Sequence, residues 1–458
     1  MLKKTVLSIL FLLLLSVSHG QSKNDKQLER ILDGLLSDRF KPNDPGCAVL
    51  VAKKGRIVYE KAFGSADLEL KVAARPDMIF RLGSISKQFT AVAILQLIEQ
   101  SKIGLHDSIQ KFIKDFPPKK NTITIEHLLT HTSGIKEYTQ LDILDPFIRR
   151  KDLSPKEVIN LFKNEPLEFQ PGSTFKYSNS GYFLLGHILE GVTGIKYKDY
   201  MESTIFKPLG LANTYYDDPA KIIPNRAKGY KREGDVYENA DYLSMTIPFA
   251  AGALISNVAD LYKWHQALHQ YTLIKKETLE NAFMPYRLSD GAYSNHGYGW
   301  FVLDMNGSPS LQHGGNINGF KSNEIYFPKE DVFVATLFNC ECAPMEELSQ
   351  QIAYLSIGRI FAEPGVDVPD VILTSYVGNY VMPESPQRPI LISKENNRLY
   401  AAVPGEWKAE LVAVSETKFN IKDIRPAGTI EFFKNENGKV MKVVTTQSGK
   451  RYEAIRTE

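Results

Sequence analysis

The chain has 458 residues, more than one ordinary hydrophobic core accommodates, and its 43% apolar and 24% charged content is that of a soluble globular protein in two domains. Its formal charge of +2 falls to about zero when residues 1–20 are set aside, since these hold Lys3 and Lys4 and no acid, leaving 53 basic against 53 acidic residues. That balance argues against nucleic-acid and anionic-membrane partners, and three cysteines are too few for a disulfide framework.

In chain order, Lys3 and Lys4 precede an apolar run from Val6 to Leu15, and Ser18-His19-Gly20 stands before Gln21. This is the layout of a secretory signal over residues 1–20, with a run short for a membrane span. No cysteine follows the expected cut, so a lipid anchor is not indicated, and no other run is long enough to cross a membrane. The mature protein is expected to be secreted, into the periplasm, with no stable membrane insertion. Residues 24–42 predict an amphipathic helix with Leu28, Ile31, Leu32 and Leu35 at helical spacing. Residues 46–64 predict a hairpin turning at Lys54-Gly55. From about 84 to 270 the pattern is mostly helical, broken by Pro and Gly. Strand-like runs follow at 298–304, 310–316, 321–328 and 331–339, then a closing helix at 345–361. Strands at both ends with helices between them predict one α/β (α+β) unit whose sheet joins its two extremities. The segment 363–370, EPGVDVPD, reads as a linker. Beyond it, short strand-like runs separated by turns predict an antiparallel barrel or meander. The expected organisation is a signal at 1–20, a main domain at 21–365 and an all-β domain at 366–458.

Three short motifs carry chemistry. In Ser84-Ile85-Ser86-Lys87, a helix starting at Ser84 places the hydroxyl beside the Lys87 amine, because residues three apart share a helix face. Burial disfavours the charged amine and makes it a usable base. The free amides of a first helical turn favour a developing oxyanion. By itself the pattern also fits a helix that begins with Ser and shows Lys to solvent. Tyr177-Ser178-Asn179 precedes an apolar helix from about Gly181 to Val192, and an extended backbone points Tyr177 and Asn179 the same way. A phenol near a cationic lysine loses its proton more readily, and an amide orients both lysine and substrate. The structural alternative is a packed Tyr177 with Asn179 or Ser180 as a helix cap. In His313-Gly314-Gly315 the paired glycines suggest close approach of another backbone, such as a substrate acyl chain, or a plain turn.

In this order and spacing the three motifs resemble the serine β-lactamase and penicillin-binding-protein superfamily, in its class C β-lactamase-related branch of esterases, D-aminopeptidases and D,D-peptidases. The flanking stretches IEHLLTHTSGI, YSNSGYFLLGHILEGVTG, KPLGLANTYY and AAGALISNVADLYKW are also similar, and the likeness covers about residues 28–362. It implies a β-lactamase/transpeptidase-like antiparallel sheet flanked by helices, and a serine hydrolase working through an acyl-enzyme without metal or cofactor. Ser84 is then the nucleophile, Lys87 and Tyr177 pass the proton, and Asn179 holds their geometry. His313 and Gly315 line the cleft, and the amides of Ser84 and Asn316 form the oxyanion hole. Which of Lys87 and Tyr177 is the base stays open. The third motif departs from the Lys-Thr-Gly of true β-lactamases, so the anchor for a β-lactam carboxylate is weakened. A small ester, D-amino-acid or peptide substrate is the expectation, with a β-lactamase or a penicillin-binding sensor of little turnover as the alternative.

His127 and His131 have the spacing of a helical zinc pair, but Glu126 precedes the first histidine where HExxH needs it after, so no metal site is expected. Trp264, His265 and His269 read as an ordinary helix face. Tyr293, His296, Tyr298 and Trp300 either line the pocket or fill the sheet. If the family's strand order applies, the strand starting near Cys47 runs antiparallel to the strand ending at Cys340, so that these ends meet, and a Cys47–Cys340 or Cys47–Cys342 bridge is possible.

Overall fold

The computed structural model describes residues 23–305, 307–359, 368–395, 397–422, 428–447 and 450–457. The expected signal at 1–20 and most of the linker, 363–367, lie outside them. The chain divides into two compact units between Gly358 and Arg359.

The first unit opens with helix α1 (Lys23–Arg39). Its buried apolar residues are Leu28, Leu32 and Leu36, while Ile31 is 43% exposed, so the apolar face is rotated from the one expected. Strands β1 (Cys47–Lys53) and β2 (Arg56–Phe63) form the predicted hairpin, with Lys54 and Gly55 both at positive φ in the turn. Helices α2 (Ser86–Glu99), α3 (Asn179–Thr193) and α4 (Val258–His269) follow, then β3 (Phe301–Asp304), β4 (Pro309–Ile317), β5 (Phe320–Phe327), β6 (Val332–Phe338) and α5 (Met345–Ser356). The six strands form an antiparallel sheet in the order β3-β4-β5-β6-β1-β2. Strand β1 pairs with β6 from Cys47 opposite Phe338 to Lys53 opposite Val332, which joins the two extremities of the unit.

Alternation along β6 divides the two faces. Phe333 stacks on His265 of α4 at 4.4 Å, whereas Thr336 hydrogen-bonds Ser349 of α5 at 2.7 Å. Helices therefore cover both faces of β6, and all seven of its residues are buried. Helices α2 and α4 meet through Phe89 stacked on Trp264, centroids 4.1 Å apart. The region from 207 to 256 is less helical than expected. It contributes Leu254–Ser256 and Tyr215–Tyr216 to a small three-stranded sheet with Phe80–Arg81, and forms a hairpin of Tyr230–Glu233 with Val236–Asn239. Strand β3 starts at Phe301 rather than 298, after a turn with Gly299 at φ +95°.

The bridge from Cys47 that the family's strand order left possible does not form. Cys47 lies opposite Phe338, so Cys340 falls beyond the paired end of β6. There the chain turns and bonds Cys340 to Cys342, Cα atoms 5.1 Å apart. Cys47 remains a buried thiol, its pKa pushed up by burial.

In the second unit, helix Asp370–Tyr376 leads into eight antiparallel strands. The last, Lys450–Thr457, pairs with the first, Gly378–Met382, at Asn379 opposite Thr457 and Val381 opposite Ile455, which closes a barrel. Tyr380, Ile392, Leu399, Phe419, Ile430, Phe432 and Val443 fill its core, and Tyr376 stacks on Phe432 at 4.1 Å. Of the two readings of this tail, the closed barrel is the one adopted.

Candidate active site

Ser84 lies where strand Phe80–Arg81 turns into α2. A single 3-10 turn, Gly83–Ile85, comes first, and the α-helix begins at Ser86, two residues later than expected. Gly83 is at φ +52°, and a Cβ there would lie 3.0 Å from the Asn316 nitrogen. This close approach sets the Ser84 segment directly beside β4. Behind it, Arg81 donates to Asp217 at 2.8 Å and to the Asn318 carbonyl at 3.3 Å, while Arg226 pairs with the other Asp217 oxygen at 2.8 Å.

Lys87, at the second position of α2, is wholly buried. Its Nζ lies 2.8 Å from Asn179 Oδ1, 2.8 Å from the Ala251 carbonyl and 3.0 Å from Ser84 Oγ. Burial pulls its pKa down to about 7, against the opposing pull of Glu137. A neutral amine has two N–H donors and one lone pair. Two of the three neighbours are carbonyl oxygens that only accept, so the lone pair falls to the hydroxyl of Ser84, the one neighbour able to donate.

Ser178 has extended backbone (φ −141°, ψ 123°), so Tyr177 and Asn179 reach the same way, as expected. The Tyr177 ring lies 4.8 Å from Lys87 Nζ and stacks on His131 at 4.3 Å. Its buried hydroxyl makes no good hydrogen bond among the described residues. Burial pushes the phenol well above its ordinary pKa, outweighing the Ser84 hydroxyl, which pulls it down. The expectation that Tyr177 loses its proton more readily is therefore reversed, because desolvation of the phenolate exceeds any help from the amine.

Asn179 opens α3, and Ser178 offers that helix no side-chain cap. Glu137, which caps the 3-10 turn Tyr138–Gln140 some forty residues earlier, takes the capping position. Its carboxylate accepts from Asn179 N at 2.5 Å, Asn179 Nδ2 at 3.1 Å, Ser180 N at 3.4 Å and Thr139 Oγ1 at 2.6 Å. Glu137 is buried, and sequence reasoning missed it, since one acid in a loop reads as a solvated charge.

His313 is buried, its Nδ1 2.7 Å from the Gly314 carbonyl, and its neutral form is favoured by burial and by His296 and Lys87 nearby. A Cβ on Gly315 would lie 1.9 Å from the Leu82 carbonyl oxygen and 2.4 Å from Ser322 Oγ. The backbone that requires this glycine is thus the strand leading to Ser84, not a substrate. Strand β3 pairs with β4 only as far as Gln312, leaving 313–317 without a partner on that side among the described residues.

The remaining candidates separate. Tyr293 is 64% exposed, whereas His296, Tyr298 and Trp300 are buried, and Tyr298 donates to Glu126 at 2.6 Å. His127 Nδ1 accepts from Thr124 N in a capping box, and His131 Nδ1 accepts from Ser178 N. His265 and His269 pack on Tyr326 at 4.3 and 4.6 Å.

The Beta-lactamase family model matches residues 32–356. Penicillin-binding protein 4* of Bacillus subtilis strain 168 is 29% identical over 441 residues, covering 90% of this chain and 94% of that protein. Among solved structures, the octameric penicillin-binding protein homologue from Pyrococcus abyssi superposes with a TM-score of 0.65 at 26% identity, covering 94% of this chain and 99% of that one. A D-stereospecific amidohydrolase from Streptomyces sp. gives 0.59 at 27% identity over 72% of this chain and 96% of that one. With a family match over most of its length and the sheet, helices and motif order described above, the chain belongs to the Beta-lactamase family.

Proposed function

We propose that the protein is a secreted serine hydrolase that cleaves an ester or amide bond of a small ester, D-amino-acid or peptide substrate through an acyl-enzyme on Ser84. The observation that carries this reading is the buried Lys87 amine, 3.0 Å from the Ser84 hydroxyl and held at 2.8 Å by the oxygens of Asn179 and Ala251. Ser84 Oγ attacks the substrate carbonyl as its proton passes to Lys87. The Ser84 and Asn316 amides hold the developing oxyanion. Collapse breaks the bond to the leaving group, which takes a proton from Lys87 directly or through Tyr177. Water then attacks the acyl carbonyl and gives its proton to the same amine; collapse breaks the acyl–Oγ bond, Oγ takes that proton back from Lys87, and the acid and free Ser84 are released. Lys87 is the better base of the two candidates, because burial lowers the amine to about 7 while it raises the phenol. The unpaired edge of 313–317 suits an extended acyl group beside the oxyanion amides. A D-configured amide substrate enters the reading from the D-stereospecific amidohydrolase of Streptomyces sp., and secretion from the signal-like residues 1–20. The organisation proposed is catalytic residues 21–365 and a barrel domain 366–458.

A panel of p-nitrophenyl esters, D-amino-acid amides and nitrocefin tests the activity, with fluorophosphonate labelling followed by intact mass. Turnover of esters or D-amides and a single adduct are expected, both abolished in Ser84→Ala. Labelling or turnover that survives this substitution refutes the nucleophile. A long-lived penicillin adduct without ester or amide turnover would instead support a sensor.

A further inference from the structure

Glu137 stands two hydrogen bonds from the Lys87 amine and three from the attacking hydroxyl, yet touches neither Ser84 nor any position expected for substrate. Every group bonded to it is a donor: the amides of Asn179 and Ser180, the Asn179 side-chain nitrogen, and the amide and hydroxyl of Thr139. Four of the five are N–H groups that can only donate, and they reach both oxygens of the carboxylate, an arrangement that acceptor oxygens satisfy. Two consequences follow from this geometry. Asn179 must present Nδ2 to Glu137, which leaves Oδ1 as the only atom it can offer to Lys87. And a negative charge is buried within electrostatic reach of the Lys87 amine, where the low local dielectric strengthens its effect.

We propose that Glu137 is a positioning residue that fixes the sense of the Asn179 amide and sets the pH at which Lys87 gives up its charge. The inference rests on the Ser84–Lys87 reading only for its consequence in activity; the effect on the lysine stands on the hydrogen-bond geometry. The other groups facing Lys87 do not supply a compensating charge. Tyr177 and Tyr182 present their rings at 4.8 and 5.7 Å, and burial raises both phenols, keeping them neutral. His131, His296 and His313 are buried and shifted toward their neutral forms. Among the described residues Glu137 alone acts to raise the lysine. Removing its charge while keeping its shape therefore makes Lys87 easier to neutralise, not harder.

The test is the titration of Lys87 in the full chain, followed by NMR of 13C-labelled lysine in wild type, Glu137→Gln and Glu137→Asp. In E137Q the Lys87 titration is expected to move down by about one pH unit. E137D keeps the charge on a shorter arm, so the lysine should titrate near its wild-type value while kcat falls through loss of Asn179 orientation. A folded E137Q in which Lys87 titrates as in wild type overturns the proposal, as does an E137D lysine that titrates as low as in E137Q. The pH profile of kcat/KM for a p-nitrophenyl ester gives a second readout, its acid limb moving down with the lysine in E137Q. A lysine that shifts without the limb following supports Glu137 and counts instead against Lys87 as the base.

Discussion

At the scale of single residues, the two adjacent glycines of the third motif have different reasons to exist. Gly315 has no room for a Cβ, which would sit 1.9 Å from the Leu82 carbonyl. Gly314 meets nothing closer than the flexible end of Met345, at 3.4 Å. Gly315→Ala must therefore push apart β4 and the strand leading to Ser84, whose carbonyl is also held by Ser322 Oγ at 2.6 Å. We expect G315A to lose about 1–3 kcal/mol of stability through overpacking. Separation of the Ser84 and Asn316 amides should cost about 10²-fold in kcat, the scale of an ångström of misplacement. Gly314→Ala should stay within twofold of wild type in both. Thermal unfolding and ester kinetics on the pair decide it, and equal behaviour of the two variants would refute the steric account. The sequence announced a close approach at these glycines but not which one, nor what approached, because the partner, Leu82, lies more than two hundred residues away. Glu137 was illegible for the same reason: its role depends on donors that only folding gathers.

Among the elements, β5 carries a cost that local pattern reading conceals. Its alternation identifies a strand, yet Glu324 on it is buried, lies opposite His313 in the β4–β5 register and leaves Oε1 without a partner among the described residues. Burial pushes its pKa up to about 8, with only Gln88 acting to lower it. A carboxyl raised in the folded state and ordinary in the unfolded one binds its proton more tightly when folded. Its contribution to stability is then complete below about pH 4.5 and is lost as pH rises through about 8. Glu324→Gln removes that titration and fills the site with a neutral amide of similar shape. Urea unfolding between pH 5 and 8 should show wild-type stability falling by a few kcal/mol relative to E324Q, on the order set by one proton over that window. Parallel curves for the two proteins would show that Glu324 is solvated. The elements themselves were largely legible. The β1–β2 hairpin, the last four strands of the first unit and the closing helix follow hydrophobic periodicity. What escaped was the start of α2, where a 3-10 turn precedes the helix, and the 207–256 region, where prolines and turns replace helix.

For the whole molecule, the pattern changes near residue 363, where helices interleaved with strands give way to short strands alone, and the chain divides into two compact units between Gly358 and Arg359. Barrel closure was not legible, because it depends on pairing of the first and last strands of the unit, nor was the Cys340–Cys342 bridge, which depends on where β6 ends. Each unit has its own apolar core. One runs from Ala48 to Leu337 and the other from Val368 to Ala454, and no residue belongs to both. All the residues assigned to the reaction, with Glu137 and the Arg81–Asp217 pair that brace them, belong to the first. Two cores without shared residues predict two cooperative transitions rather than one. Calorimetry of the full chain should resolve them, and a chain ending at Gly358 should retain one, together with ester turnover within a few-fold of the parent. A single transition in the full chain, coupled to loss of folding or activity on truncation, would mean that the barrel completes the catalytic unit.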